Sequence, residues 1–318
     1  MFNRAEYITP FSIKGKNIYG AAYFNDYTIC QESMRGSLAA VYRHADSNYI
    51  LPEQTSNPFV IYDPVLFLGH FFDGYGHFLL ETLPMISYII NPCYGSYKFV
   101  FLQFSLSLGD VNKETSTFIT EKIFMDILDI LGLGDFKNKV IIYKGPKVLK
   151  GDFYIVPRPI EINMEIKDPQ PYSIIINKIK QQINNKLRND NYPLKVFLSR
   201  SYDRVDPKYA SEIEDFCSEE GFYIIKPAAL TFIQQVALIA NAKIIAGFEG
   251  SQLHNTIFSN PGTVIIEFGD SWRPSKPNIN QEIISKLIKV DLRFVPYLID
   301  EIQRVKDYTN SLIRNSLT

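Results

Sequence analysis

The sequence predicts an α/β protein in two domains, the second built on a parallel sheet. Three observations carry this. The chain has 318 residues, more than one domain usually takes. From Tyr172 onward, short apolar runs alternate with amphipathic ones, the pattern of a parallel sheet with helices on its faces. One such run, Lys243-Ile-Ile-Ala, breaks at Gly-Phe-Glu-Gly-Ser, directly before a helix-like segment. Strand, glycine turn and helix N-terminus in that order mark the carboxyl end of a sheet, where ligands bind.

Met1 to about Tyr62 reads as short strands and turns, with Asn17–Tyr23, Tyr27–Gln31, Leu38–Tyr42 and Tyr49–Leu51 as candidates. It carries no evident chemistry, and His44 reads as a loop residue. Val65–Leu68 is a strand, followed by a loop with Gly69, Gly74 and Gly76 and a helix starting near Tyr75 to Phe78. Lys98–Gln103 is a buried-type strand. Ser116–Leu131 has helical spacing, and Gly132-Leu-Gly134 ends it. Val140–Tyr143 and Asp152–Val156 are further strands. The proline-rich Val156–Pro171 closes a first domain, residues 1–165.

In the second domain, residues 166–297, the strands are Lys195–Leu198, Phe222–Ile225, Lys243–Ala246 and Thr263–Phe268, with Arg293–Tyr297 extended. The helices are Tyr172–Arg188, Pro207–Glu220, Thr231–Ala240, Gln252–Phe258 and Ile279–Lys289. Pro207 starts its helix and Gly221 stops it. Residues 298–318 form an amphipathic segment that can pack back on the first domain.

Composition removes several classes. A formal net charge of -1 leaves no basic field for nucleic acid. The three cysteines, Cys30, Cys93 and Cys217, form no metal or redox spacing, and their odd number fits a reducing compartment. Met1–Lys16 lacks the pattern of a signal peptide. The longest apolar run, Phe78–Ile90, is broken by Glu81 and Pro84 and falls short of the roughly 20 residues that span a bilayer. His70 and His77 are not at a zinc spacing, so no metal is expected. Gly-X-Gly-X-X-Gly, a Walker loop and Gly-X-Ser-X-Gly are all missing.

Four groups remain as candidates. His77 and Glu81, four apart, share a helical face. His77 reads as a base or substrate ligand held by Glu81 or Asp73, or else as a residue that caps or packs. Arg200 and Arg204, in Leu198-Ser-Arg-Ser-Tyr-Asp-Arg204, emerge at the sheet's carboxyl edge. Guanidinium groups bind phosphates in fork geometry, although this pair could instead serve Asp203 and Asp206. Gly250, Ser251 and Gln252 open a helix whose N–H groups favour an anion. Glu267 ends a strand and reads as an acceptor for two ribose hydroxyls or as a strand-end acid. His254, on the helix after the glycine turn, reads as a packing residue.

Gly76-His-Phe-Leu-Leu-Glu-Thr-Leu-Pro84, Val196-Phe-Leu-Ser-Arg-Ser-Tyr-Asp-Arg204, Leu230-Thr-Phe-Ile-Gln-Gln-Val236, and Ala242–Phe258 with Pro261-Gly-Thr-Val-Ile-Ile-Glu-Phe268, in this order, resemble glycosyltransferase family 61. The resemblance implies a GT-B-like α/β architecture, two Rossmann-like domains facing across a cleft. It implies inverting transfer from a nucleotide-diphosphate sugar, commonly a UDP-sugar. On that likeness Arg200 and Arg204 hold the diphosphate with Gly250, Ser251 and Gln252, and Glu267 holds the ribose. His77, with Asp73 and Glu81, faces the acceptor. Where the family usually has His-Gly-Ala/Ser-Gly-Leu-Thr-Asn, this chain has Glu249-Gly-Ser-Gln-Leu-His-Asn255. His77 is the first choice of base and Glu249 the second. No Asp-X-Asp triplet occurs, so a metal-independent reaction without a further cofactor is expected. The implied setting is the cytoplasm or the inner face of its membrane. The implied partners are a nucleotide-sugar donor and a glycan or lipid-linked glycan acceptor, as in capsule or lipopolysaccharide synthesis. A non-catalytic sugar- or nucleotide-binding member and a sugar-nucleotide epimerase are the alternatives.

Overall fold

A computed structural model of the chain describes residues 2–9, 12–14, 17–19, 21–26, 28–30, 33, 43–44, 57–104, 113–160, 165–186, 191–200 and 204–316. The chain divides into two compact units, Met1–Ile175 and Ile176–Thr318.

The first unit holds strands β1 (Asn3–Ile8), β2 (Ser12–Lys14), β3 (Asn17–Tyr19), β4 (Ala22–Tyr23), β5 (Arg43–His44), β6 (Phe59–Val60), β7 (Val65–Phe72), β8 (Lys98–Phe104), β9 (Val140–Tyr143) and β10 (Leu149–Ile155). Its main sheet has seven strands in the order β4-β1-β10-β7-β8-β9, with β6 also on β10. The pairs β10–β7, β7–β8 and β8–β9 are parallel, while β1 runs antiparallel to β10 and β4. The strands β2, β3 and β5 form a small separate sheet. The expected strand Asn17–Tyr23 appears as β3 and β4. Of Tyr27–Gln31 the structure shows a bridge between Ile29 and Tyr23. Leu38–Tyr42 and Tyr49–Leu51 lie outside the described residues. The sequence did not announce β1, whose Asn-Arg-Ala-Glu-Tyr-Ile lacks strict alternation.

Every residue of β7 is buried, as a parallel strand covered on both faces should be. Its register against β8 shifts between Phe67 and His70, where Gly69 takes φ +87°. That bulge lets the strand continue to Phe72, past the loop expected at Gly69. Helix α3 (Lys113–Ile130) reaches this core through Phe124, whose ring meets Phe71 edge-on at 5.4 Å and Phe101 at 5.7 Å.

After β7 the backbone coils continuously from Tyr75 to Ile89, but not as one α-helix. A single α-turn, α1 (Tyr75–His77), passes into a π-turn over Phe78–Thr82, a 3₁₀ turn over Leu83–Met85 and then α2 (Ile86–Ile89). Pro84 has no N–H to return to Leu80, four residues back. The Leu80 carbonyl instead accepts the buried hydroxyl of Tyr172 at 2.6 Å. The N–H of Leu83 reaches five residues back to Phe78, which widens the turn. Thr82 pins the turn to β7: its Oγ1 donates to His70 O and accepts from Phe72 N, both at 3.2 Å. Tyr172 belongs to α4 (Gln170–Lys186), inside which the division between the units falls.

The second unit is a five-stranded, fully parallel sheet of β11 (Lys195–Leu198), β12 (Tyr223–Ile225), β13 (Ile244–Phe248), β14 (Val264–Phe268) and β15 (Asp291–Val295). The spatial order is β12-β11-β13-β14-β15. Helices α5 (Pro207–Glu219), α6 (Phe232–Asn241) and α7 (Ile279–Ile288) follow β11, β12 and β14. Their starts are chemically specified. Asp206 caps α5 through Tyr209 N at 2.9 Å, and Thr231 with Gln234 forms a capping box on α6.

The short helix expected at Gln252–Phe258 after β13 is a six-residue 3₁₀ helix, Leu253–Phe258. Leu253, His254 and Asn255 each donate three residues back, to Gly250, Ser251 and Gln252. The Asn255 side chain reinforces this by donating to Gln252 O at 3.0 Å. The C-terminal helix α8 (Ile302–Arg314) packs on the sheet of its own unit. Its buried residues, Val305, Thr309 and Ile313, face the second unit, and Val305 and Ile313 join the core of Phe197, Phe248 and Phe268. Each of these two aliphatic side chains gains about 1.5–3 kcal/mol on burial, enough to fix an otherwise polar helix. Among the described residues no helix is long and apolar enough to cross a membrane.

Candidate functional site

In a sheet of this order the connections leave in opposite directions from the two neighbouring strands β11 and β13, and a crevice opens outside their carboxyl ends. Leu198 and Gly247 are paired there, so the residues that follow, Ser199-Arg200 and Glu249-Gly250, meet. Arg200 Nη1 donates to the backbone carbonyl of Glu249. Gly250 has φ +147°, and a Cβ on it would stand 2.5 Å from Arg200 Nη1 and 2.6 Å from Gln252 Oε1. Glycine is therefore what lets the Arg200 guanidinium lie against the turn. Gln252 holds the turn's other side by donating to Phe248 O at 2.9 Å, and Ser251 is exposed at the tip. Arg200, Gly250, Ser251 and Gln252 are thus brought together, in a turn rather than at an α-helix start.

Glu249 points inward. It is 2% exposed, and Arg204 Nη2 lies 2.9 Å from its Oε2. Arg273 Nε lies 3.5 Å from its Oε1, which also accepts a hydrogen bond from the side-chain amide of Asn278. Burial raises the Glu249 carboxyl above the ordinary range and neighbouring Asp270 adds to this, while Asn278 and Arg204 oppose it. Arg204 also faces Asp270, at 3.3 Å from Nε, and its guanidinium lies 4.5 Å from the Trp272 ring centre. Of the two acids that the sequence set beside it, Asp206 caps α5 and Asp203 is outside the described residues.

Glu267 is fully buried. Its Oε1 accepts the Asn278 N–H at 2.9 Å, and Oε2 has no partner among the described residues. Burial pushes this carboxyl up to about 8; the Asn278 N–H opposes the shift and the Glu249 charge adds to it. At neutral pH it is mostly the neutral acid. Asn278 is also the N-cap of α7, with its Oδ1 accepting Asn280 N at 2.8 Å. One asparagine thus ties the ends of β13 and β14 to the start of α7. His254 is buried.

The sequence reading missed Asp270, Trp272, Arg273 and Asn278. The sequence marks a polar turn just past an apolar strand and a cap before Ile279, but not the contacts with Glu249 and Glu267.

In the first unit, His77 closes α1 at the carboxyl end of β7. Its Nδ1 is 2.7 Å from Glu81 Oε1 across the π-turn, and its ring packs against Phe72 at 5.7 Å. A carboxylate can only accept, so the hydrogen of this bond is on His77 Nδ1. The His77 side chain keeps 18% of its surface open, against 8% for Glu81. Glu81, one of the two acids considered for holding His77, stands at this distance. Asp73 is buried at the end of β7, its N–H donating to Phe104 O at 3.2 Å. Among the described residues no group of three or more His, Cys, Asp or Glu is arranged to hold a metal ion.

No curated protein matches the chain. The family Glycosyltransferase 61 matches residues 75–266, from the turn that bears His77 to the middle of β14. That span takes in the Arg200–Gly250 crevice and more than half of the 318 residues, and the chain therefore belongs to glycosyltransferase family 61 and is a glycosyltransferase.

Proposed function

We propose that this glycosyltransferase binds a nucleotide-diphosphate sugar, a UDP-sugar by family likeness, in the crevice outside β11 and β13. It then transfers the sugar with inversion to a hydroxyl of a glycan or lipid-linked glycan. The observation that carries the reading is Arg200 lying against Gly250, a guanidinium on bare backbone at the sheet's switch point. A phosphate entering there meets an arginine fork and a turn with no side chain to obstruct it. Arg204 and Arg273 add positive charge nearby, so the leaving diphosphate is stabilised electrostatically without a divalent cation.

His77 is the base, its Nε2 free to take the acceptor proton and its tautomer held by Glu81. Glu249 is the weaker choice, because both of its oxygens face guanidinium groups. Glu249 instead keeps Arg204 and Arg273 in position. A ribose-binding role for Glu267 requires its buried carboxyl to open toward the ligand; in its present place it organises Asn278. The GT-B-like facing of the two units, with Asp73 and Glu81 on the acceptor side, belongs to this proposal. So does a setting at the cytoplasmic face of the membrane in surface-polysaccharide synthesis.

A second reading, a binding member without turnover, draws on Glu249: an internal carboxylate already occupies Arg204. A thermal-shift screen against UDP-, GDP-, CMP- and dTDP-sugars, followed by turnover assays on the ligands that bind, decides between them. A ligand at about 100 times its dissociation constant adds roughly 2.7 kcal/mol. Arg200→Ala should remove that stabilisation. Binding to wild type and variant alike would defeat the assignment of Arg200. Binding without turnover on any acceptor would favour the second reading.

A further inference from the structure

The chain has one tryptophan, and it stands 74% exposed on the turn after β14. An indole so placed contributes little to a core. Its turn, however, is built firmly. Asp270, fully buried, accepts the N–H groups of Trp272 and Arg273 through Oδ1, each at 2.9 Å. Ser271 donates to Arg204 O from its N–H at 3.1 Å and from its hydroxyl at 2.9 Å. Gly269 lets the turn close, since a Cβ there would stand 2.7 Å from Arg273 O. Arg204 thus supports the turn's backbone, pairs with Asp270 and lies under the indole at 4.5 Å. One face of the ring is fixed on a cation, and most of the side chain's surface is left to solvent.

We propose that Trp272 is a stacking platform for a ring of the donor, either the nucleobase through its π face or the sugar through its C–H face. The proposal rests on the reading of the β11/β13 crevice as the donor site. Arg204 links the two places: the guanidinium under the indole is also the one 2.9 Å from Glu249, the residue before Gly250. A donor whose phosphates reach these arginines carries a ring on each side of them. A positive groove beside an aromatic face is the combination by which proteins hold nucleotides without reading the base. A platform pinned through its backbone loses little freedom when a ring settles on it.

The single tryptophan makes the test direct. The full chain is titrated with UDP and UDP-glucose, and with GDP and GDP-mannose, while indole emission and its quenching by acrylamide are followed. Saturable emission changes with the diphosphates alone identify the base as the stacked ring. Changes with the nucleotide sugars only identify the sugar. Either supports the platform, as does reduced access of acrylamide to the indole at saturation. Trp272→Ala should weaken binding at least about fivefold, the lower end of what one stacked ring is worth. Trp272→Phe, which keeps a ring, should stay within about twofold of wild type. The loss should appear in KM more than in kcat. The proposal is overturned if a probe stabilises the protein thermally while emission and acrylamide quenching stay unchanged and Trp272→Ala binds as wild type does. If no probe binds the wild type at all, the donor-site reading fails and the platform falls with it.

Discussion

Replacing Glu267 by glutamine turns a buried acid into a pH-independent amide of the same shape. The carboxyl is fully buried, and its affinity for the proton is pushed up to about 8 from an ordinary 4.5. A folded state that holds a proton more tightly than the unfolded chain is most stable at low pH. That advantage is whole below about 4.5 and is lost as pH rises to about 8. At about 1.36 kcal/mol per tenfold change, the window is worth on the order of 3–5 kcal/mol. That is a large share of the 5–15 kcal/mol that holds a typical domain. In Glu267→Gln the amide oxygen can still accept the Asn278 N–H, so the variant should lack this slope and keep the fold. The assay is urea unfolding of both proteins across about pH 5 to 9. The variant should match wild type at the acid end and exceed it by several kcal/mol at the alkaline end. A difference between the two proteins that does not change with pH would refute the reasoning.

Two further outcomes follow from the same geometry. His77→Ala should lower turnover by about 10²–10⁴-fold, the usual worth of a general base, and leave nucleotide affinity intact; wild-type turnover in the variant would exclude His77 as the base. Glu249→Gln removes a negative charge beside Arg204 and Arg273. A phosphate roughly 6–8 Å away would gain about 2–3 kcal/mol at an effective dielectric near 20, so UDP should bind tens of times more tightly. An unchanged or weaker affinity by calorimetry would mean that Glu249 does not oppose the donor.

What could be read from the chain was whatever depends on near neighbours. The strands of the second unit were legible because both faces are covered and their runs are apolar. The crevice was legible because Arg200 and Gly250 each follow a recognisable strand. The π-turn was not, since Pro84 leaves the Leu80 carbonyl to a hydroxyl far along the chain. Nor was the 3₁₀ form of Leu253–Phe258, which the Asn255 side chain helps to set by bonding back to Gln252. The 270–278 segment escaped notice for a related reason. Asp270, Arg273 and Asn278 acquire their roles only when β13 and β14 bring Glu249 and Glu267 side by side, and no spacing within the segment encodes that.

The bond from Tyr172 to Leu80 also sets an order of events. A ribosome delivers the chain from its N-terminus, so Pro84 emerges with the Leu80 carbonyl still lacking its donor. The hydroxyl that completes the pair lies 92 residues after Leu80. Until it arrives, water must serve that carbonyl, and the turn bearing His77 and Glu81 cannot finish packing. A chain cut short before Tyr172 would contain His77 and Glu81 and still lack the hydroxyl that bonds Leu80 O.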